Sequence, residues 1–120
     1  MKEDNVIQEK GFAFALRMVK LYQYLVKEKK EFVLSKQVLR SGTSIGANVE
    51  EAIGGQSKKD FLSKMNIAYK ETRETHYWLC LLEGSSFLGH TQADSLLQDC
   101  NELLKLLGSI CKTTKFKITN

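Results

Sequence analysis

The segment Gly54-Gly55-Gln56-Ser57-Lys58-Lys59 brings glycines, a helix start and two lysines together, the groups with which a polypeptide can hold an anion. Its spacing is not the Gly-x-x-x-x-Gly-Lys-Ser/Thr of a nucleotide loop, so a nucleic-acid phosphate suits it better than a nucleotide cofactor. A helix terminator followed by an N-cap also explains it without any function. The other reactive groups promise little chemistry. His76 follows Glu74 by two positions, which puts the pair on different sides of a helix, and the Glu-x-x-His pattern of a carboxylate-bridged metal bundle does not occur. Cys80, Cys100 and Cys111 have no Cys-x-x-Cys spacing, and with His76 and His90 they complete no zinc pattern. An odd number of cysteines fits a reduced cytosol, where a free thiol on an apolar helix face behaves as a small hydrophobe. No nucleophile elbow accompanies the serines. The sequence therefore predicts no catalytic residue, no metal ligand and no cofactor, and the chain is not expected to be an enzyme.

A second segment, residues 40–51, is unusual in another way. Small and polar residues fill a stretch that must be helical, with Arg40, Ser44 and Glu51 along one side and Ser41 and Asn48 between that side and the apolar face. Such groups hydrogen-bond across a helix contact, and the small ones allow the contact to be close. They are expected to fix the register of the bundle or of its subunits, while Arg40 is also a candidate for an RNA-binding surface. A net charge of +4 makes an acidic partner plausible without naming one. Lys36, Arg40, Lys58 and Lys59 are the candidate nucleic-acid contacts. Tyr22, Tyr24, Tyr69 and Tyr77 could stack on bases, although tyrosines at helical spacing more often pack.

Four helices are expected to position these groups. The chain has 120 residues, no proline, and glycines gathered near 42–55 and 84–89, which together suit one all-α domain over 1–120. The first helix is predicted over residues 6–29, with one apolar stripe of Phe12, Ala15, Leu16, Val19, Tyr22 and Val26 and a second of Phe14, Met18, Leu21 and Leu25. Two stripes mean burial on two sides. The second helix starts after Ser35 and stops at Gly54-Gly55, with Val38, Gly42, Ile45, Val49 and Ile53 inward. Gly42 and Gly46 each cost about 1 kcal/mol of helix propensity, which a close helix crossing would offset. Ser57 and Asp60 resemble a capping box opening a helix over 58–83, with Phe61, Met65, Ala68, Thr72, Thr75, Leu79 and Leu82 inward. Ile67 and Trp78 lie on another side of it as candidate subunit contacts. Thr91 with Asp94 repeats the capping pattern for a last helix with Leu96, Cys100, Leu103, Leu107 and Ile110 inward, and residues 112–120 are expected to fray as a basic tail. Short connections argue for an antiparallel up-down-up-down four-helix bundle. No apolar stretch approaches the roughly 20 residues of a membrane span, so no membrane association is expected.

The run from Arg40 to Glu51 resembles the bacterial four-helix-bundle family of ribosomal-RNA intervening-sequence proteins, and the likeness continues through Gln56-Ser57-Lys58-Lys59-Asp60-Phe61, Lys70-Glu71-Thr72-Arg73-Glu74-Thr75, Tyr77-Trp78-Leu79 and Leu88-Gly89. Ala52 stands where many members carry glycine. The resemblance implies a ring of antiparallel bundles, pentameric, without enzymatic activity. It extends to an accessory protein of diversity-generating retroelements, a basic pentameric barrel that binds nucleic acid and a reverse transcriptase. The expectation is a cytoplasmic homo-oligomer that binds structured RNA or DNA through basic surfaces. The alternative is a protein-interaction scaffold in which Ser44, Asn48, Glu51, Ile67 and Trp78 contact neighbouring subunits or a protein partner.

Overall fold

The computed structural model of the protein describes residues 2–119, with side chains from Asp4 onward. Four helices follow one another: α1 (Lys2–Lys27), α2 (Leu34–Ile53), α3 (Lys58–Gly84) and α4 (His90–Thr119). Each packs on the next, and α4 returns to α1 to close a rod of 49 × 21 × 21 Å. At 1.5 Å per residue the 30 residues of α4 rise about 45 Å, nearly the full length of the rod. The expected up-down-up-down bundle is the observed fold.

The inward faces of α3 and α4 follow the periodicity of the sequence. Met65, Ala68, Thr72, Thr75, Leu79 and Leu82 are buried on α3, with Phe61 half-buried, and Leu96, Cys100, Leu103, Leu107 and Ile110 are buried on α4. Ser57 Oγ accepts the Asp60 N–H at 3.0 Å, so the expected N-cap of α3 is made.

Four expectations are corrected. On α1 the core takes the stripe of Phe14, Met18, Leu21 and Leu25, joined by Ile7. The other stripe faces outward, with Phe12, Leu16 and Val19 at 66%, 51% and 40% exposure. Burial on two sides is therefore not achieved within one chain. On α2, Ala52 is buried and Ile53 exposed, because the 100° step per residue carries Ile53 past the core-facing arc that Val49 and Ala52 share. The last helix begins at His90, where the Ala93 N–H bonds the Gly89 carbonyl at 2.9 Å; Thr91 lies exposed inside the first turn and caps nothing. At its other end α4 continues through Thr119 instead of fraying at 112. No Gly or Pro interrupts residues 109–119, and Thr114 and Thr119 hydroxyls bond carbonyls one turn back. Asn120 lies outside the described residues.

The glycines of α2 do allow close crossing. A Cβ on Gly42 would fall 2.3 Å from Met18 Cγ, so the Met18 side chain occupies the space that a side chain at 42 would need. A Cβ on Gly46 would fall 3.2 Å from the Gly11 carbonyl oxygen, because there the two backbones themselves meet.

Two turns end helices without glycine. Ser86, at φ 68°, takes the left-handed position after α3, and the Phe87 N–H reaches back to the Leu82 carbonyl at 2.9 Å, as in a Schellman motif. Lys30, at φ 54°, also takes a left-handed position after α1, in a turn one residue wider, with the Glu31 N–H on the Leu25 carbonyl at 3.0 Å. Glu31 is buried, and its carboxylate accepts the backbone N–H groups of Val33, Leu34 and Ser35 at 3.2, 3.0 and 2.6 Å. These are orphan donors at the start of α2, so Glu31 caps that helix from the preceding loop.

Candidate functional site

The polar side of α2 lies against α3 of the same chain. Arg40 forms ion pairs with Glu71, at 3.3 Å, and with Glu74. Ser44 Oγ donates to Glu71 Oε2 at 2.7 Å, and Trp78 Nε1 donates to Glu74 Oε2 at 2.8 Å. Beneath them the Thr75 hydroxyl donates to Ser41 Oγ at 2.8 Å in the buried interior. Asn48 Nδ2 donates to the Ser44 carbonyl at 2.8 Å, and Glu51 pairs with Lys64 at 2.9 Å. A one-residue slip of α2 along α3 would break the bonds that Arg40, Ser41, Ser44 and Glu51 make across to α3, so these favour one register between the two helices. Ile67 lies exposed beside it on α3.

The four candidate nucleic-acid contacts are not brought together. Lys36 sits in the first turn of α2 and Lys58 and Lys59 in the first turn of α3, at opposite ends of the rod; the α2 residues between rise about 25 Å. Arg40 lies between, with its guanidinium held by two carboxylates, and offers little free charge to a phosphate. Sequence periodicity could not show this, because Glu71 and Glu74 are 31 and 34 positions away.

Many of the lysines without an ion-pair partner among the described residues lie at the two ends. At one end Lys27, Lys29 and Lys30 leave α1 and Lys36 enters α2, all exposed, around the exposed side chains of Phe32 and Val33. At the other, Lys58 and Lys117 border a cavity of about 520 Å³ floored by Ile53, Phe61 and Ile110, with exposed Lys59, Lys112 and Lys115 on the same helix ends. On the walls between the ends some charges pair, Lys10 with Glu102 at 3.0 Å, Arg17 with Asp99 at 2.6 Å, and the Arg40 and Lys64 pairs, while Lys20, Lys70, Arg73 and Lys105 stand exposed there as well. The loop group could be read in the segment Lys27-Glu28-Lys29-Lys30-Glu31-Phe32-Val33, where lysines precede two exposed apolar residues.

The reactive side chains have ordinary surroundings. Cys100 is buried, its thiol donates to the Thr72 carbonyl at 3.4 Å, and burial pushes its pKa up to about 12. Burial also raises that of Cys111. Exposed Cys80 touches His76 Nδ1 at 3.7 Å. Exposed His90 pairs with Glu83 at 2.9 Å, and that hydrogen bond with the nearby charges of Glu83 and Asp94 raises its pKa. Tyr24 and Tyr69 pack on the core, whereas Tyr77 lies exposed, edge-on to Trp78 with ring centroids 5.2 Å apart. Among the described residues no group of three or more His, Cys, Asp or Glu is placed to hold a metal ion, and no helix is long and apolar enough to cross a membrane.

No curated protein matches the sequence. The crystal structure of a protein of unknown function from the S23 ribosomal protein family of Bacteroides thetaiotaomicron is 54% identical in sequence, covers 92% of this chain and 98% of its own, and has a TM-score of 0.90. The model of the 23S rRNA-intervening sequence proteins matches residues 3–109, the first three helices nearly whole and α4 up to residue 109. The chain belongs to the 23S rRNA-intervening sequence protein family.

Proposed function

We propose that the protein is a non-enzymatic, cytoplasmic homo-oligomer that binds structured RNA through the lysines at the ends of its bundle. The observation that carries this reading is the exposed basic groups at the ends of the rod. Lys27, Lys29, Lys30 and Lys36 at one end, and Lys58 and Lys59 at the other, stand in water without ion partners among the described residues. Unpaired lysines release condensed counterions from a phosphate backbone, and such binding is steeply salt-dependent. The family description, with its reference to ribosomal RNA, agrees with it. Arg40 is left out of the surface because Glu71 and Glu74 already hold it.

Oligomerisation rests on the outward stripe of α1. Phe12, Leu16 and Val19 are apolar side chains in a row that one chain leaves in water, and a second copy would cover them. Five copies in a ring is what the family resemblance implies. The same stripe favours the second reading, in which the protein is a scaffold for a protein partner and RNA plays no part.

Light scattering of the purified protein, beside a salt titration of its binding to a fluorescent hairpin RNA, separates the readings. A multiple of the chain mass with affinity that falls steeply with salt, and that weakens in Lys36→Glu/Lys58→Glu/Lys59→Glu, supports RNA binding. An oligomer with negligible affinity at low salt supports the scaffold. Leu16→Asp should reduce the mass toward one chain with helix content retained.

A further inference from the structure

We infer that the loop between α1 and α2 is a docking point for unpaired nucleotides, with the Phe32 ring stacking on a base while Lys27, Lys29, Lys30 and Lys36 contact the flanking phosphates. This rests on the RNA-binding reading and assigns it a place and a substrate class. Phe32 and Val33 stand 52% and 69% exposed, side by side at the end of the rod. An exposed aromatic on a floppy loop would mean little, but this loop is braced. Lys30 is turned into the left-handed region, and Glu31 is tied to α1 through its N–H and to α2 through three N–H groups on its carboxylate. The backbone next to that brace is held in place, so part of the cost of ordering the loop is already met by the fold.

The brace also decides how charge is recognised. The first free amides of α2 are the usual seat for a phosphate at a helix start, and Glu31 already fills that seat with its own carboxylate. Phosphates are left to the lysine side chains, which reach outward around the ring. Phe32 supplies a π face, which every base can stack on; the lysines supply sequence-independent attraction. A base inside a duplex has no free face, so the loop should prefer single strands, loops and bulges. Two apolar side chains amid four lysines make too small a face to hold an anionic membrane, and the copy-to-copy surface has a separate candidate in the α1 stripe.

The test uses the full-length protein with a fluorescent 12-nucleotide uridine RNA, a 12-base-pair RNA duplex, and phosphatidylserine vesicles. Phe32→Ala should weaken single-strand binding about 5- to 140-fold, the range that stacking of about 1–3 kcal/mol gives at 1.4 kcal/mol per tenfold, with duplex affinity and salt slope unchanged. Phe32→Trp should keep or improve single-strand affinity. Converting all four lysines to Gln should flatten the salt slope for both RNAs. Single-strand binding that Phe32→Ala leaves intact, while the lysine variant still weakens it, overturns the stacking site and leaves the RNA reading standing. No binding of either RNA by the unaltered protein at low salt removes both. A fall in light-scattering mass in Phe32→Ala would make the ring a contact between copies, and vesicle binding lost with Phe32 while RNA binding is unaffected would make it a membrane contact; either result also overturns the proposal.

Discussion

Replacing Glu31 should do more harm than its place in a surface loop suggests. Among the described residues its carboxylate is the one side-chain group that caps the start of α2, where Val33 makes no side-chain cap bond and no acidic residue occupies the first helical turn. Glu31→Ala frees three backbone N–H groups, of which the Ser35 donor is buried, at 2.6 Å from the carboxylate. An N-cap is worth about 0.5–2 kcal/mol, and a hydrogen bond to a charged group about 1.5–3 kcal/mol. The three bonds share one carboxylate and do not add fully, so the expected loss is about 2–3 kcal/mol at pH 7. For a chain of this length that lowers Tm by about 3–5 °C per kcal/mol. Glu31→Gln keeps one acceptor oxygen and should cost less. The effect must also depend on pH. Burial alone would raise the Glu31 pKa, but the bonds from Leu34, Ser35 and Val33 outweigh it and hold the group below its ordinary 4.5. The unfolded chain therefore binds this proton more readily than the folded one. The stabilisation is complete above about pH 4.5 and is lost as pH falls through the lower folded value. Urea unfolding followed by circular dichroism, at one protein concentration and at pH steps from 7 to 3, measures both. A Glu31→Ala protein within 0.5 kcal/mol of the unaltered one at pH 7, or a difference that grows on acidification, would refute the argument.

Other outcomes are equally definite. Gly42→Ala gains about 1 kcal/mol of helix propensity but drives a methyl into Met18, an overpacking cost of about 1–3 kcal/mol, so the urea midpoint should fall. Ser86→Gly relieves a left-handed serine and should raise stability by up to about 1 kcal/mol in the same assay. A thiol reagent at pH 8 should modify exposed Cys80 in the folded protein, while Cys100, buried and with its pKa near 12, should react only once urea unfolds the chain; early modification of Cys100 would show that α3 and α4 open readily.

The helices, their order and most of the core could be read from residue spacing, because a 3.6-residue period in Leu96 to Ile110 or Met65 to Leu82 admits one inward face. Spacing failed on α1, where two apolar stripes compete. The choice between them is made by Gly42, on another helix, which makes room for Met18. Similar non-local causes hid the site. The fate of the Arg40 charge is decided by carboxylates a helix away, and the distance between Lys36 and Lys58 by the antiparallel path of the chain. Glu31 was missed for a local reason: it caps from outside the helix, where Ser, Thr, Asp or Asn is the pattern usually sought.

The meeting of Gly11 and Gly46 has a consequence for how this sequence can drift. Elsewhere in the bundle a larger side chain can be accommodated by a smaller neighbour, since rotamers trade volume between positions. Here main chain touches main chain, the Gly11 carbonyl oxygen 3.2 Å from where a Cβ on Gly46 would stand, and neither side has a torsion to yield. A methyl at either position makes the two backbones part by a few tenths of an ångström, beside the Gln8–Glu50 bond. No compensating change at the partner site is open to the lineage, since glycine has nothing left to remove. The two positions are thus each other's ratchet, and relatives that lose one should show a different spacing of the first two helices.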